Sequence, residues 1–278
     1  MNSTPARLYG GTSRKRVTIS DLADAKVRGE RWPMLTAYDA TTARIFDDAG
    51  IPVLLVGDSA ATVIYGYDTT VPITVEELLP LVRAVERGSN RALVVADLPF
   101  GTYQASVEQA IDTGARFLKD GNAHAVKLEG GESVLPQVRA MTQAGIPVMA
   151  HLGLTPQSVN QLGGYKVQGR GEAGERILKQ ALQLQDAGAF ALVLEVVPAE
   201  LATRITKALT IPVIGIGAGN NTDAQVLVWQ DLVGLTLGHV PKFVTPYAHV
   251  GEIIDKAVRS WADDVERQAF PTDDQSYR

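Results

Sequence analysis

The chain has 278 residues, of which 45% are hydrophobic and 21% charged, with 31 acidic against 26 basic residues, a formal net charge of −5 and no cysteine. The absent cysteines exclude a disulfide framework, a thiolate metal site and a cysteine nucleophile, and the acidic balance lacks the footprint of a general nucleic-acid binder. Apolar runs such as Pro52–Val56 fall far short of the roughly 20 residues that cross a bilayer, so no membrane partner is expected. The length suits either two ordinary domains or one α/β barrel of about 250 residues.

Residues 1–19 carry Arg7, Arg14, Lys15 and Arg16 but no acid and little apolar periodicity. They read as a flexible or loosely docked arm. A transit peptide would share that composition, but no amphipathic helix accompanies it. Residues 20–278 read as one catalytic domain in which a single unit recurs: an apolar run ending in a polar residue, a helical segment, a Gly, and the next run. Ala-Gly-Ile-Pro-Val occurs at Ala49–Val53 and again at Ala144–Val148, with echoes at Ala187–Phe190 and Thr210–Val213. Gly stops the helix in the left-handed conformation, and Pro keeps the approach to the strand extended.

Within these units, Thr74 with Glu77 and Ser106 with Gln109 have capping-box spacing. Val75, Leu78, Leu79, Val82 and Val85 form one helical stripe, and Val107, Ala110, Ile111 and Leu118 a second. The strands are unbroken apolar runs: Leu54–Val56, Ala92–Ala96, Val148–Ala150, Ala191–Leu194 and Val213–Ile216. Such runs belong to parallel sheets covered on both faces. Strands are expected to end near Asp39, Asp58, Asp97, Glu129, His151, Glu195 and Gly217, with a weaker eighth around Leu232–Leu235. Eight βα units without a composition break predict a single (β/α)8 TIM barrel with a short N-terminal arm; a doubly wound open sheet is the alternative. Leu152–Gly171 reads as a long loop after strand five, a length that points to function. Tyr247–Gln268 reads as a closing helix and Phe270–Arg278 as a polar tail.

Barrel chemistry collects at the carboxyl ends of strands, where this chain places Asp58, Ser59, Asp97, Lys127, Glu129, His151 and Glu195. Lys127 and Glu129, two apart, share a strand face. Taken singly, Asp58 or Asp97 could be a turn or N-cap residue, Lys127 with Glu129 a structural ion pair, and His151 a core histidine. Together they would be costly to desolvate without a purpose. Three carboxylates with neither Cys nor a His pair suit Mg²⁺ or a similar hard ion. A 2-oxo acid could then share the ion, which would stabilise an enolate. Lys127 would add positive charge at the enolate oxygen, and Glu195 is left to act as the proton-abstracting base. The glycine-rich Ile214–Asn221 follows strand seven, unlike a dinucleotide fingerprint, and fits either close backbone packing or anion binding.

The chain resembles the ketopantoate hydroxymethyltransferases, of the phosphoenolpyruvate/pyruvate barrel superfamily, from about Thr18 to Ser276. The resemblance rests on the segments Leu35–Asp39, Leu55–Ser59, Ala96–Phe100, Val126–Gly131, His151–Gln157, Gly163–Gly171, Leu194-Glu195 and Ile211–Gly219. It implies transfer of a hydroxymethyl group from 5,10-methylenetetrahydrofolate to 3-methyl-2-oxobutanoate, yielding 2-dehydropantoate for pantothenate and coenzyme A. It also implies a Mg²⁺ site at Asp58, Asp97 and Glu129, the last directly or through water. Oxo-acid contacts would come from Asp58, Ser59, Asp97 and Lys127, with His151 nearby and Glu195 as proton acceptor. A cytoplasmic homo-oligomer, a ring of five or ten subunits, is the expected assembly. The chain departs from some members after Ser59, at Ala60–Asp68 including Tyr67, and in the tail at Phe270–Tyr277; neither stretch contains a proposed metal or base residue. A Mg²⁺-dependent oxo-acid lyase or decarboxylase is the nearest alternative, a non-catalytic barrel scaffold a more distant one.

Overall fold

The computed structural model describes residues 7–10, 15–238 and 240–277; the remaining parts of the expected arm (1–6 and 11–14) and Arg278 of the tail lie outside the described residues. Two compact units divide at Val228/Trp229.

In the first unit, eight parallel strands close in sequential order: β1 (Trp32–Thr36), β2 (Val53–Val56), β3 (Leu93–Asp97), β4 (Ala125–Glu129), β5 (Val148–Gly153), β6 (Ala191–Glu195), β7 (Val213–Ile216) and β8 (Ala224–Leu227). The helices among them are α1 (Ile19–Val27), α2 (Ala40–Asp48), α3 (Ala60–Val63), α4 (Val75–Gly88), α5 (Val107–Lys119), α6 (Leu135–Gln143), α7 (Val159–Leu162), α8 (Glu172–Asp186) and α9 (Ala199–Ala208). The arrangement is a single (β/α)8 TIM barrel.

Two strand-end assignments are corrected. The eighth strand lies at Ala224–Leu227, while Leu232–Leu235 falls at the end of a short helix and the turn after it. Asp39 does not end a strand: β1 stops at Thr36, and the Asp39 side chain caps α2 by accepting from Thr41 and Thr42 N–H. The loop after strand five is also more ordered than its composition suggests. β5 runs to Gly153, and a 3-10 turn at Pro156–Ser158 and α7 follow.

Capping follows the sequence. Thr74 and Glu77 form the full reciprocal box at α4. Ser106 accepts from Gln109 N–H, but the Gln109 side chain accepts from Ala105 N–H instead of closing the box. The α4 stripe is buried throughout, whereas α5 buries Ala110, Thr113, Gly114 and Phe117, a face shifted from the predicted one.

Both faces of the barrel wall are apolar for most of its height. Outward residues such as Leu54, Val94, Val126, Ala150 and Leu192 are buried beneath the helices. Inward residues Trp32, Met34, Val53, Leu55, Leu93, Val95, Ala125, Met149, Ala191, Val193, Ile214, Ala224 and Val226 form one core. Leu8, Val17, Leu22 and Ala25 join that core. Leu8 is also held through its backbone, its N–H donating to Glu30 (2.6 Å) and its carbonyl accepting from Arg91.

The second unit, Trp229–Arg278, contains α10 (Trp229–Leu232) and α11 (Val250–Glu266). α11 repeats apolar residues at helical spacing, yet none of its residues is buried, and Ile253, Ile254, Val258, Trp261 and Val265 are exposed. The Trp261 ring meets Phe270 edge-on, with centroids 6.3 Å apart. No helix among the described residues is long and apolar enough to cross a membrane.

Candidate active site

The period of two along a strand carries each inward row from core to mouth. On β3, Leu93 and Val95 are core and Asp97 is the next inward residue. On β4, Ala125 is core and Lys127 and Glu129 follow; β5 passes from Met149 to His151, and β6 from Val193 to Glu195. Strand register then decides which polar residues meet. Asp97 pairs with Lys127 across β3 and β4, and Glu129 with His151 across β4 and β5.

The result is a row of alternating charge around the rim. Lys127 Nζ donates to Asp97 Oδ1 and Oδ2 at 2.8 and 2.7 Å and lies 3.9 Å from Glu129 Oε1. Glu129 Oε1 lies 3.2 Å from His151 Nδ1, and His151 Nε2 lies 3.2 Å from Glu195 Oε2. Asp97, Lys127, Glu129 and His151 are all buried, whereas the Glu195 side chain retains 16% exposure. These residues, with Asp58, Ser59, Thr36 and Thr70, line a cavity of about 110 Å³. The sequence-predicted site residues are therefore brought together.

Burial and neighbouring charge set the protonation tendencies. Burial, reinforced by Asp97 and Glu129, pushes the Asp58 carboxyl well above its usual range, and burial likewise raises Asp97 against the pull of Lys127. Burial disfavours the Lys127 ammonium, but Asp97, Glu129 and Asp58 outweigh it and hold the lysine charged. His151 is raised to about 9: burial and Lys127 oppose its charge, while Glu129 and Glu195 favour it. For Glu129, burial is overcome by His151 and Lys127 and the carboxyl is lowered.

Three supporting residues escaped the sequence reading. Tyr38 OH shares a 2.8 Å hydrogen bond with Ser59 Oγ. Tyr103 OH accepts from the Glu129 N–H (3.1 Å) and donates to Gln157 Oε1 (2.7 Å). Gln157 Nε2 donates to Asp58 Oδ2 (3.0 Å). None of the three is a carboxylate, lysine or histidine at a strand end, the pattern that flagged the others; Tyr38 and Gln157 do lie within the family-like segments Leu35–Asp39 and His151–Gln157.

Glycines allow three close approaches. Gly153 has φ +96°, and a Cβ there would stand 2.2 Å from the Glu195 carbonyl oxygen. Its hydrogen lets Leu154 N–H donate to that carbonyl at 2.8 Å. In the glycine-rich segment that begins within β7, Gly219 has φ +79° and a Cβ would lie 2.5 Å from Ala199 Cβ, while one on Gly215, inside the strand, would lie 2.8 Å from Thr222 Oγ1. Close packing accounts for both.

Among the described residues, no group of three or more His, Asp or Glu side chains is assembled as a metal cage: Asp97 is engaged by Lys127 and one Asp58 oxygen by Gln157. Glu129 Oε1, however, is buried without a hydrogen-bond partner among the described residues, its His151 contact lacking hydrogen-bond geometry. Mg²⁺ ordinarily takes one or two carboxylates and completes its octahedron with waters and substrate. The donor set fits such an ion.

A closed barrel with acids, a buried lysine and a histidine at the carboxyl ends of its strands defines a (β/α)8 enzyme. The sequence model for ketopantoate hydroxymethyltransferase matches residues 16–273. The chain is 62% identical to the 3-methyl-2-oxobutanoate hydroxymethyltransferase of Frankia alni, covering 99% of this chain and 92% of that one. It is 61% identical to the protein of the same name from Thermobifida fusca, covering 99% and 98%. Among solved structures, a phosphonopyruvate hydrolase complex with oxalate and Mg²⁺ shares the fold at a TM-score of 0.60 and 13% identity, covering 93% of each chain. The chain belongs to the ketopantoate hydroxymethyltransferase family and is an enzyme of the transferase class.

Proposed function

We propose that this enzyme transfers a hydroxymethyl group from 5,10-methylenetetrahydrofolate to 3-methyl-2-oxobutanoate, forming 2-dehydropantoate for pantothenate and coenzyme A synthesis. The observation that carries the reading is the charge row, which separates an acid–lysine end at Asp97 and Lys127 from the partly exposed carboxylate of Glu195. Asp58 and Asp97 would hold Mg²⁺, with Glu129 acting through water; when bound, the ion supplies Lewis-acid polarisation of the oxo-acid carbonyl.

The chain's own groups do the rest. Asp58, Ser59, Asp97 and Lys127 contact the oxo acid, and the Lys127 ammonium stabilises the negative charge that develops on its oxygen. Glu195 takes the C3 proton as general base, and His151, between Glu195 and Glu129, holds that carboxylate in place. The C3 carbon then bonds to the one-carbon unit, one water completing the hydroxymethyl group as tetrahydrofolate leaves. The reading extends to a cytoplasmic ring of five or ten subunits. The exposed apolar side chains of α11 support an oligomer, and sedimentation analysis tests it.

The test of the reaction is an assay of EDTA-treated protein with 3-methyl-2-oxobutanoate and methylenetetrahydrofolate, with and without added Mg²⁺. Product is expected only with both substrates and the ion. Consumption of the oxo acid without folate would instead identify a lyase or decarboxylase.

A further inference from the structure

Gln157 is the most connected polar side chain at the barrel mouth, and the reaction described above gives it no role. It is buried, at 4% exposure, and stands in the 3-10 turn Pro156–Ser158 that follows β5. Pro156 lines the cavity and Gln157 does not, so it acts from behind the wall.

Its amide has one orientation. Nε2 donates to Asp58 Oδ2 at 3.0 Å and to the Leu98 carbonyl at 2.9 Å; both partners are acceptors, so the nitrogen must face them. Oε1 accepts from the Tyr103 hydroxyl at 2.7 Å and more weakly from Gln104 Nε2 at 3.4 Å; burial pushes the phenol well up, keeping its proton, for which the Glu129 carbonyl at 3.0 Å is the longer alternative acceptor. The main-chain N–H of Gln157 donates to Glu129 Oε2 at 3.0 Å. One residue of the loop after β5 thus grips the carboxylate that follows β2 and the one that ends β4, and ties both to the chain after β3. Each grip takes one oxygen of its carboxylate, and for Glu129 the other oxygen is the one left without a hydrogen-bond partner.

We propose that Gln157 is a positioning residue that orients Asp58 and Glu129 for a divalent cation, with Tyr103 fixing the amide that does so. The inference rests on the metal site proposed above. Groups that hold ligands in place typically contribute 10- to 100-fold to metal affinity, whereas a residue that only packs the loop would change stability and leave affinity alone.

The experiment is titration of the metal-free full-length protein with Mn²⁺, followed by electron paramagnetic resonance, for wild type, Gln157→Met and Tyr103→Phe, with thermal unfolding of each metal-free protein as control. Gln157→Met keeps the side-chain length and removes the amide; it is expected to weaken Mn²⁺ binding about 10- to 100-fold. Tyr103→Phe leaves Gln157 in place, removes the shorter of the two hydrogen bonds to its Oε1 while the one from Gln104 Nε2 stays, and is expected to weaken binding by a smaller factor, at least about threefold. If both variants bind Mn²⁺ like wild type, the role of Gln157 is overturned while the metal site stands. If Gln157→Met does not fold, wild-type affinity in Tyr103→Phe overturns it alone. If wild-type protein binds no Mn²⁺, the metal site itself is refuted, and this inference with it.

Discussion

Lys127 Nζ sits 2.8 and 2.7 Å from the two carboxylate oxygens of Asp97, its register partner on the adjacent strand, with both side chains almost fully buried. Removing one member of such a pair leaves an uncompensated charge, costing about 3–5 kcal/mol, whereas replacing both can be nearly neutral. Lys127→Met is therefore expected to lower metal-free stability by about 3–5 kcal/mol, and Asp97→Asn combined with Lys127→Met to recover most of it while staying inactive. Urea unfolding of the two variants checks this; equal destabilisation would show that the pair does not carry the charge balance.

Glu195→Gln keeps the shape of the proposed base and removes its basicity. Exchange of the C3 hydrogen of 3-methyl-2-oxobutanoate into D₂O is expected to fall about 10²- to 10⁴-fold, while binding of the oxo acid with Mg²⁺ is nearly unchanged. Proton NMR measures the first and calorimetry the second. Wild-type exchange in the variant would rule out Glu195 as proton acceptor.

His151 makes the metal-free protein sensitive to alkali. Its folded pKa is raised to about 9, above the unfolded value near 6.5. The stabilisation is therefore complete below about pH 6.5 and is lost as pH climbs through about 9, on the order of 3 kcal/mol in all. Between pH 7 and 10 the melting temperature of metal-free wild type should fall several degrees further than that of His151→Gln. Parallel pH curves for the two proteins would contradict this.

Gly153→Ala would place a methyl carbon 2.2 Å from the Glu195 carbonyl oxygen at φ +96°. Backbone strain of this kind costs about 1–3 kcal/mol, and relief requires the end of β6 to move. A shift of 1 Å at a reacting group can cost about 10² in rate, so kcat is expected to fall far more than oxo-acid affinity. Steady-state kinetics beside a melting curve separates the two effects.

The barrel was legible because most strands are uninterrupted apolar runs and most helices carry caps and stripes. The eighth strand was not, for a physical reason: the outward Gln225 is exposed, so Ala224–Leu227 lacks the apolar run that marks a strand buried on both faces. Leu232–Leu235 has the run but belongs to a helix end and its turn. Asp39 shows the converse error, an acid after an apolar run that serves a helix cap. At the site, charged residues announced themselves by the high cost of burying them. Gln157 and Tyr103 are uncharged and bury cheaply once hydrogen-bonded, so their function is visible only in their partners.

The alternating row from Asp97 through Lys127, Glu129 and His151 to Glu195 also limits how this lineage can drift. Because side chains alternate sides along a strand, a single-residue insertion or deletion within β3 to β6 would turn a member of the row outward and set like charges side by side. Loops and termini carry no such parity. Length changes among relatives should therefore gather between the strands and at the ends of the chain, leaving the four strands that carry the row as a fixed scale on which the rest of the protein is free to vary.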